Sequence, residues 1–241
     1  MMRLREWLSA LVCTPEQEKV RDASIVLVDQ IRAKGVVLML SMDAWRFRDT
    51  VEMEYRRAMV GSAPLPLLAR HADPIARYIA PGSFLGFIGT YPSLPAPLVL
   101  TSTGAMYPLG TIRRLFETQR LWCDRDEDRQ YQNVVVEGNA PELDDLKTFV
   151  HCGTTWARPD RGNNGLGQLI SRLCVKVCWL QWGTPIFSTV VDGKGLEKTF
   201  SIPRVIGKAI CDGLVTNIGY FTEADHLADS EKVLSMSTTA A

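Results

Sequence analysis

Residues 148–192 constrain the fold of this 241-residue chain more than any other stretch. Thr148-Phe149-Val150-His151-Cys152-Gly153-Thr154-Thr155-Trp156-Ala157 has the β-branched and aromatic content of a strand. A turn-rich loop follows over 158–167. Leu166, Leu169, Ile170, Leu173, Val177 and Leu180 then recur at spacings of three and four, one nonpolar helix face with Arg172 and Lys176 off it. Gly183 and Pro185 stop that helix, and 186–191 reads as a second strand. Strand, glycine-rich loop, helix and strand make a βαβ unit, whose two strands are expected to be parallel.

Around this unit the elements are plainer. Thr14 as cap, Pro15 in the first turn and Gln17 at the capping-box position start a helix that carries Val20, Leu27, Val28 and Ile31 and stops at Gly35. Strands are expected at 36–42, 84–91, 98–103 and 133–137, with a short helix at 111–121 and an exposed turn at 123–130. The stretch 43–59 mixes Arg and Glu with Trp45, Phe47 and Tyr55 and reads as a strand end followed by an amphipathic helix. Residues 229–241 are plain enough to read as a frayed tail. The organisation expected is a helical segment over 1–35, one domain over 36–228 and that tail.

Composition narrows the partners. With 46% hydrophobic and 22% charged residues the chain has an ordinary globular make-up, and 27 basic against 27 acidic residues give no general attraction to polyanions or anionic membranes. Glu6 interrupts the first basic pair, the nonpolar run after it is short, and no stretch approaches a membrane span, so a cytoplasmic location is expected. Cys13, Cys123, Cys152, Cys174, Cys178 and Cys211 are scattered, which favours reduced thiols. Cys174 and Cys178 share a helix face, but without a nearby third ligand they read as small core side chains rather than a metal site.

Glycines before a helix let the backbone approach a ligand closely, and the unpaired amides at the helix start suit a pyrophosphate. The run Arg158-Pro159-Asp160-Arg161-Gly162-Asn163-Asn164-Gly165-Leu166-Gly167-Gln168-Leu169-Ile170 resembles the acyl-CoA-binding signature of the GNAT-type N-acetyltransferase superfamily. Pro159, Gly165 and Gly167 fall at that family's spacing. Gly162 occupies the usual Gln/Arg slot, with Arg161 one place early.

The resemblance implies an α/β (α+β) fold: a mixed, largely antiparallel central sheet flanked by helices on both faces and splayed by the parallel βαβ unit at 148–191. It implies acetyl-CoA or another acyl-CoA as co-substrate, and transfer of an acetyl or short acyl group to a primary amine of a small molecule or protein. Backbone of Thr155, Trp156 and Ala157 would line the pantetheine arm. Arg161, Gly162, Asn163, Asn164, Gly165, Leu166 and Gly167 would hold the pyrophosphate. The amine must be neutral to attack, so a base and an acid are needed. His151 and Glu137 are the candidates for the base and Tyr220 for the acid. Each also has a structural reading, as a satisfied histidine, a strand end at solvent and a core tyrosine.

Three other readings compete. A dinucleotide-binding oxidoreductase would use Gly165-Leu166-Gly167 and place Asp192 on a ribose, but its third glycine position is Ile170. A binding protein with the same fold and no turnover is the second. The third concerns the acceptor: Arg46, Arg48, Arg56 and Arg57 with Trp45 and Tyr55 suit a nucleic acid, against which the zero net charge weighs.

Overall fold

The computed structural model describes residues 1–58, 82–91, 98–108, 131–136, 148–152, 156–157, 165–183, 186–191, 204–211 and 214–238. The expected helix at 111–121 and turn at 123–130 lie outside these residues.

Five helices are described: α1 (Leu4–Ser9), α2 (Pro15–Ala33), α3 (Ala44–Ala58), α4 (Leu166–Trp182) and α5 (Glu223–Thr238). The capping box at the start of α2 is present: Thr14 Oγ1 accepts from Gln17 N–H at 3.3 Å, and the Gln17 amide oxygen accepts from Thr14 N–H at 3.0 Å. Such a cap stabilises a helix by about 1 kcal/mol. Gly183, with φ 62°, closes α4 as the sequence suggests.

The strands are β1 (Met2–Arg3), β2 (Val37–Ser41), β3 (Phe84–Thr90), β4 (Leu98–Pro108), β5 (Tyr131–Val136), β6 (Thr148–Cys152), β7 (Trp156–Ala157), β8 (Ile186–Val191), β9 (Arg204–Cys211) and β10 (Leu214–Phe221). Among the described residues they form one sheet in the order β1-β2-β3-β4-β6-β8-β10-β9-β5, with β7 beside β4. Every described pairing is antiparallel except β6 with β8, which α4 connects. The mixed, largely antiparallel sheet with one parallel βαβ unit is therefore as expected.

Alternation along β3 separates the two faces of the sheet. Leu85 and Phe87 enter a core with Leu27 and Ile31 of α2, Ile170 and Leu173 of α4, and Val233 of α5. Phe84 and Ile88 are buried on the other face, where the Phe47 ring of α3 lies 5.3 Å from that of Phe84. Helices α1, α2, α4 and α5 thus cover one face and α3 the other. Leu4 and Leu8 of α1 belong to the main core, which joins the first 35 residues to the sheet.

One expectation is corrected. Residues 229–238 are not a tail: they continue α5, which packs on α2. The inward face of α5 is His226, Ser230 and Val233, so two of its three buried positions are polar and a hydrophobic period does not reveal the helix.

Candidate active site

The candidate site lies where the described pairing of β6 with β8 ends. Their parallel register joins Val150 to Ile186, His151 to Phe187 and Cys152 to Ser188. Beyond it, among the described residues, β8 continues through Thr189 to Val191 beside β10, while Trp156 and Ala157 of β7 lie beside Thr101 and Leu100 of β4. Between the Gly104–Cys152 and Thr101–Trp156 pairs the chain takes four steps (152 to 156) against three on β4 (104 to 101). Within the stretch 148–157 that the sequence reads as one strand, the structure describes β6 and β7, and among the described residues only β6 is paired with β8. The edge of β7 that faces β8 has no strand partner among the described residues.

Helix α4 starts at the same end of the sheet. Gly165 is exposed and sits at its N-cap with φ 77°, a left-handed conformation in which only glycine is at ease. No side chain caps the helix, and its first turn has no acid. A side chain at Gly165 or Gly167 would meet nothing within 4 Å. The positive end of the helix dipole lies at this start.

An ionic cluster fixes α4 from behind. Lys176, 1% exposed, donates to Ser230 Oγ at 2.8 Å and to the His226 carbonyl at 3.3 Å, and its ammonium lies 2.8 Å from Asp229. Arg172 grips both oxygens of Asp229, with Nε at 2.9 Å from Oδ2. Burial lowers the Lys176 pKa to about 8 against the pull of Asp229. Burial alone would raise the Asp229 pKa, but the Arg172 hydrogen bond and the Lys176 charge outweigh it and hold the carboxyl below its ordinary value. His226 is 3% exposed and stacks on Trp179 at 5.3 Å. Burial, reinforced by Lys176, brings its pKa down to about 3, and its Nε2 has no partner among the described residues. Sequence reasoning misses this cluster; the signal is Lys176, a charge inside a helix otherwise nonpolar over 173–180.

The register brings two of the candidate residues into one row. His151 pairs with Phe187 of β8, and Phe187 pairs with Tyr220 of β10. Two strand spacings separate them, about 9–10 Å. In the register the row continues through Ala105 to Phe84. Glu137 lies outside the described residues, and the strand it follows, β5, is four strands from β6 at the far edge. Thr155, Arg161, Gly162, Asn163, Asn164 and Asp192 also lie outside them. Cys174 and Cys178 are buried in the core and form no disulfide, and no metal-binding group is found among the described residues. No described helix is long and apolar enough to cross a membrane.

No protein-family model and no curated protein matches the sequence. Solved structures do. Arabidopsis thaliana NAA60 in complex with acetyl-CoA is similar at 11% identity and TM-score 0.41, over 76% of this chain and 97% of that one. A GNAT-family protein from Desulfovibrio desulfuricans is similar at 11% identity and TM-score 0.42, over 78% and 99%. A GNAT-family protein from Bordetella pertussis is similar at 10% identity and TM-score 0.43, over 78% and 95%. The functional reading of this chain rests on its own strand register.

Proposed function

We propose that the chain is an acyl-CoA-dependent N-acyltransferase, moving an acetyl or short acyl group to a primary amine. One observation carries this reading: the described pairing of β6 with β8 ends at Cys152, and β7 next to it pairs with β4, at the end of the sheet where α4 starts without a side-chain cap. A strand edge with no strand partner among the described residues suits an extended arm that carries its own amides, as pantetheine does. The helix start then suits the pyrophosphate at the end of that arm. The two features lie at one end of the sheet, as one ligand requires. Trp156, Ala157, Gly165, Leu166 and Gly167 are the described members of the binding set; Thr155 and the residues from Arg161 to Asn164 complete it in this reading.

For the chemistry, His151 is assigned the base and Tyr220 the acid. The neutral amine nitrogen bonds to the acyl carbon, the C–S bond breaks, the surplus amine proton goes to His151, and Tyr220 protonates the departing thiolate. Their place in one row of the register supports taking them as the pair. A dinucleotide-binding oxidoreductase is disfavoured, because a doubly wound parallel sheet is the frame of that site and here a single described pair is parallel.

The test is release of free CoA thiol from acetyl-CoA against a panel of small amines and peptides with free amino groups. Amine-dependent release is the expected result. Saturable binding of acetyl-CoA with no release by any amine would instead make the chain a binding protein.

A further inference from the structure

A second feature lies at the same end of the sheet. The register carries Leu38 across Gly89 and Leu100 to Ala157, so β2 begins level with β7. The last turn of α2 leads into that end, and α1 leaves β1 there. Between them is a cleft of about 610 Å³ that Arg3, Arg5, Glu6 and Arg32 line. Three strand spacings separate β2 from β6, about 14 Å, so the cleft is distinct from the candidate site at β7.

The three guanidiniums are not equally engaged. Arg5 holds Asp29 at 3.0 Å. Arg3 meets Glu6 at 3.5 Å with the two side chains 69% and 68% exposed, a pair of little energy that exchanges readily. The guanidinium of Arg32 has no acidic partner among the described residues. Three cations against Glu6 and Asp29 leave one positive charge, which matches a carboxylate better than a phosphate of charge near two. The cleft is also far larger than a bare ion, and Ala10, Val36, Val37 and Leu38 give it nonpolar walls.

We propose that this cleft binds a small organic carboxylate with a nonpolar body, held by Arg32 and Arg3. The site is independent of the acyltransferase reading. Arginine is suited to it because its planar fork donates to both carboxylate oxygens.

The test is calorimetric titration of the full chain with hexanoate, and in parallel with hexan-1-ol and inorganic phosphate. Hexanoate should saturate, and both controls should bind at least about tenfold more weakly, since each lacks one half of the required chemistry. Arg32→Ala should weaken hexanoate about tenfold or more while thermal unfolding and acetyl-CoA binding stay unchanged. Arg32→Lys should fall between the two, keeping the charge and losing the fork. Absence of saturation, equal binding by the alcohol or phosphate, or an Arg32→Ala variant that binds as well as the parent would overturn the proposal.

Discussion

Gly86 illustrates how a single missing methyl decides where a helix sits. It lies on β3 between Phe84 and Ile88, and a Cβ built there would stand 2.3 Å from Cδ2 of the Phe47 ring. That is ring edge in a buried contact, not the end of a flexible chain, so α3 would have to retreat. Gly86→Ala is expected to destabilise the protein by about 1–3 kcal/mol, read from urea unfolding. An unchanged midpoint would mean that α3 does not pack as described. At this scale much is legible in the sequence: Thr14, Pro15 and Gln17 announce the start of α2 because capping chemistry is local. The role of Gly86 is not, since it depends on a ring 39 positions away (86 − 47).

Between elements, legibility depends on whether the buried faces are nonpolar. Helix α4 is legible to within two residues of its end, because its leucines and valines keep the helical period. Helix α5 is not, although Thr222 and Asp225 cap it reciprocally, with Thr222 N–H donating to Asp225 Oδ2 at 2.8 Å and Asp225 N–H to Thr222 Oγ1 at 3.3 Å. Its inward His226 and Ser230 are buried against Lys176 and Trp179, a partnership between residues some 50 positions apart. This contact makes stability depend on pH with a definite sign. The His226 pKa is about 3 folded against 6.5 unfolded, so its contribution is full above pH 6.5 and is lost as pH falls towards 3. The lowered pKa of Asp229 adds to the loss at the acid end of that range. Lys176, at about 8 against 10.5, has the same sign and adds stability as pH rises between those values. Unfolding free energy should therefore drop between pH 7 and pH 5, and His226→Leu should flatten that drop. If the variant keeps the parent's pH slope, His226 is not buried neutral.

At the scale of the whole molecule, the parallel unit is legible and the break within it is not. Periodicity and turn residues give the order strand, helix, strand, and connectivity then forces β6 and β8 to be parallel. The composition of 148–157 is strand-like throughout, so nothing in residue type says that pairing to β8 ends at Cys152 while pairing to β4 resumes at Trp156. The change of partner matters because it falls at the end of the sheet where α4 starts, and the proposed function depends on it. A substitution at Gly167 probes it more cleanly than one at Gly165. Gly165 would also be strained by its positive φ, whereas Gly167 lies in the first turn of α4, has open space for a side chain, and would place an acid where the helix dipole favours one. The most direct measurement is isothermal titration of the parent and of Gly167→Glu with acetyl-CoA, with NAD in parallel. The expected result is saturable acetyl-CoA binding to the parent, none of NAD, and loss of acetyl-CoA binding in a variant at least as stable. No heat from acetyl-CoA with the parent, or equal affinity in the folded variant, would contradict a pyrophosphate site at the start of α4.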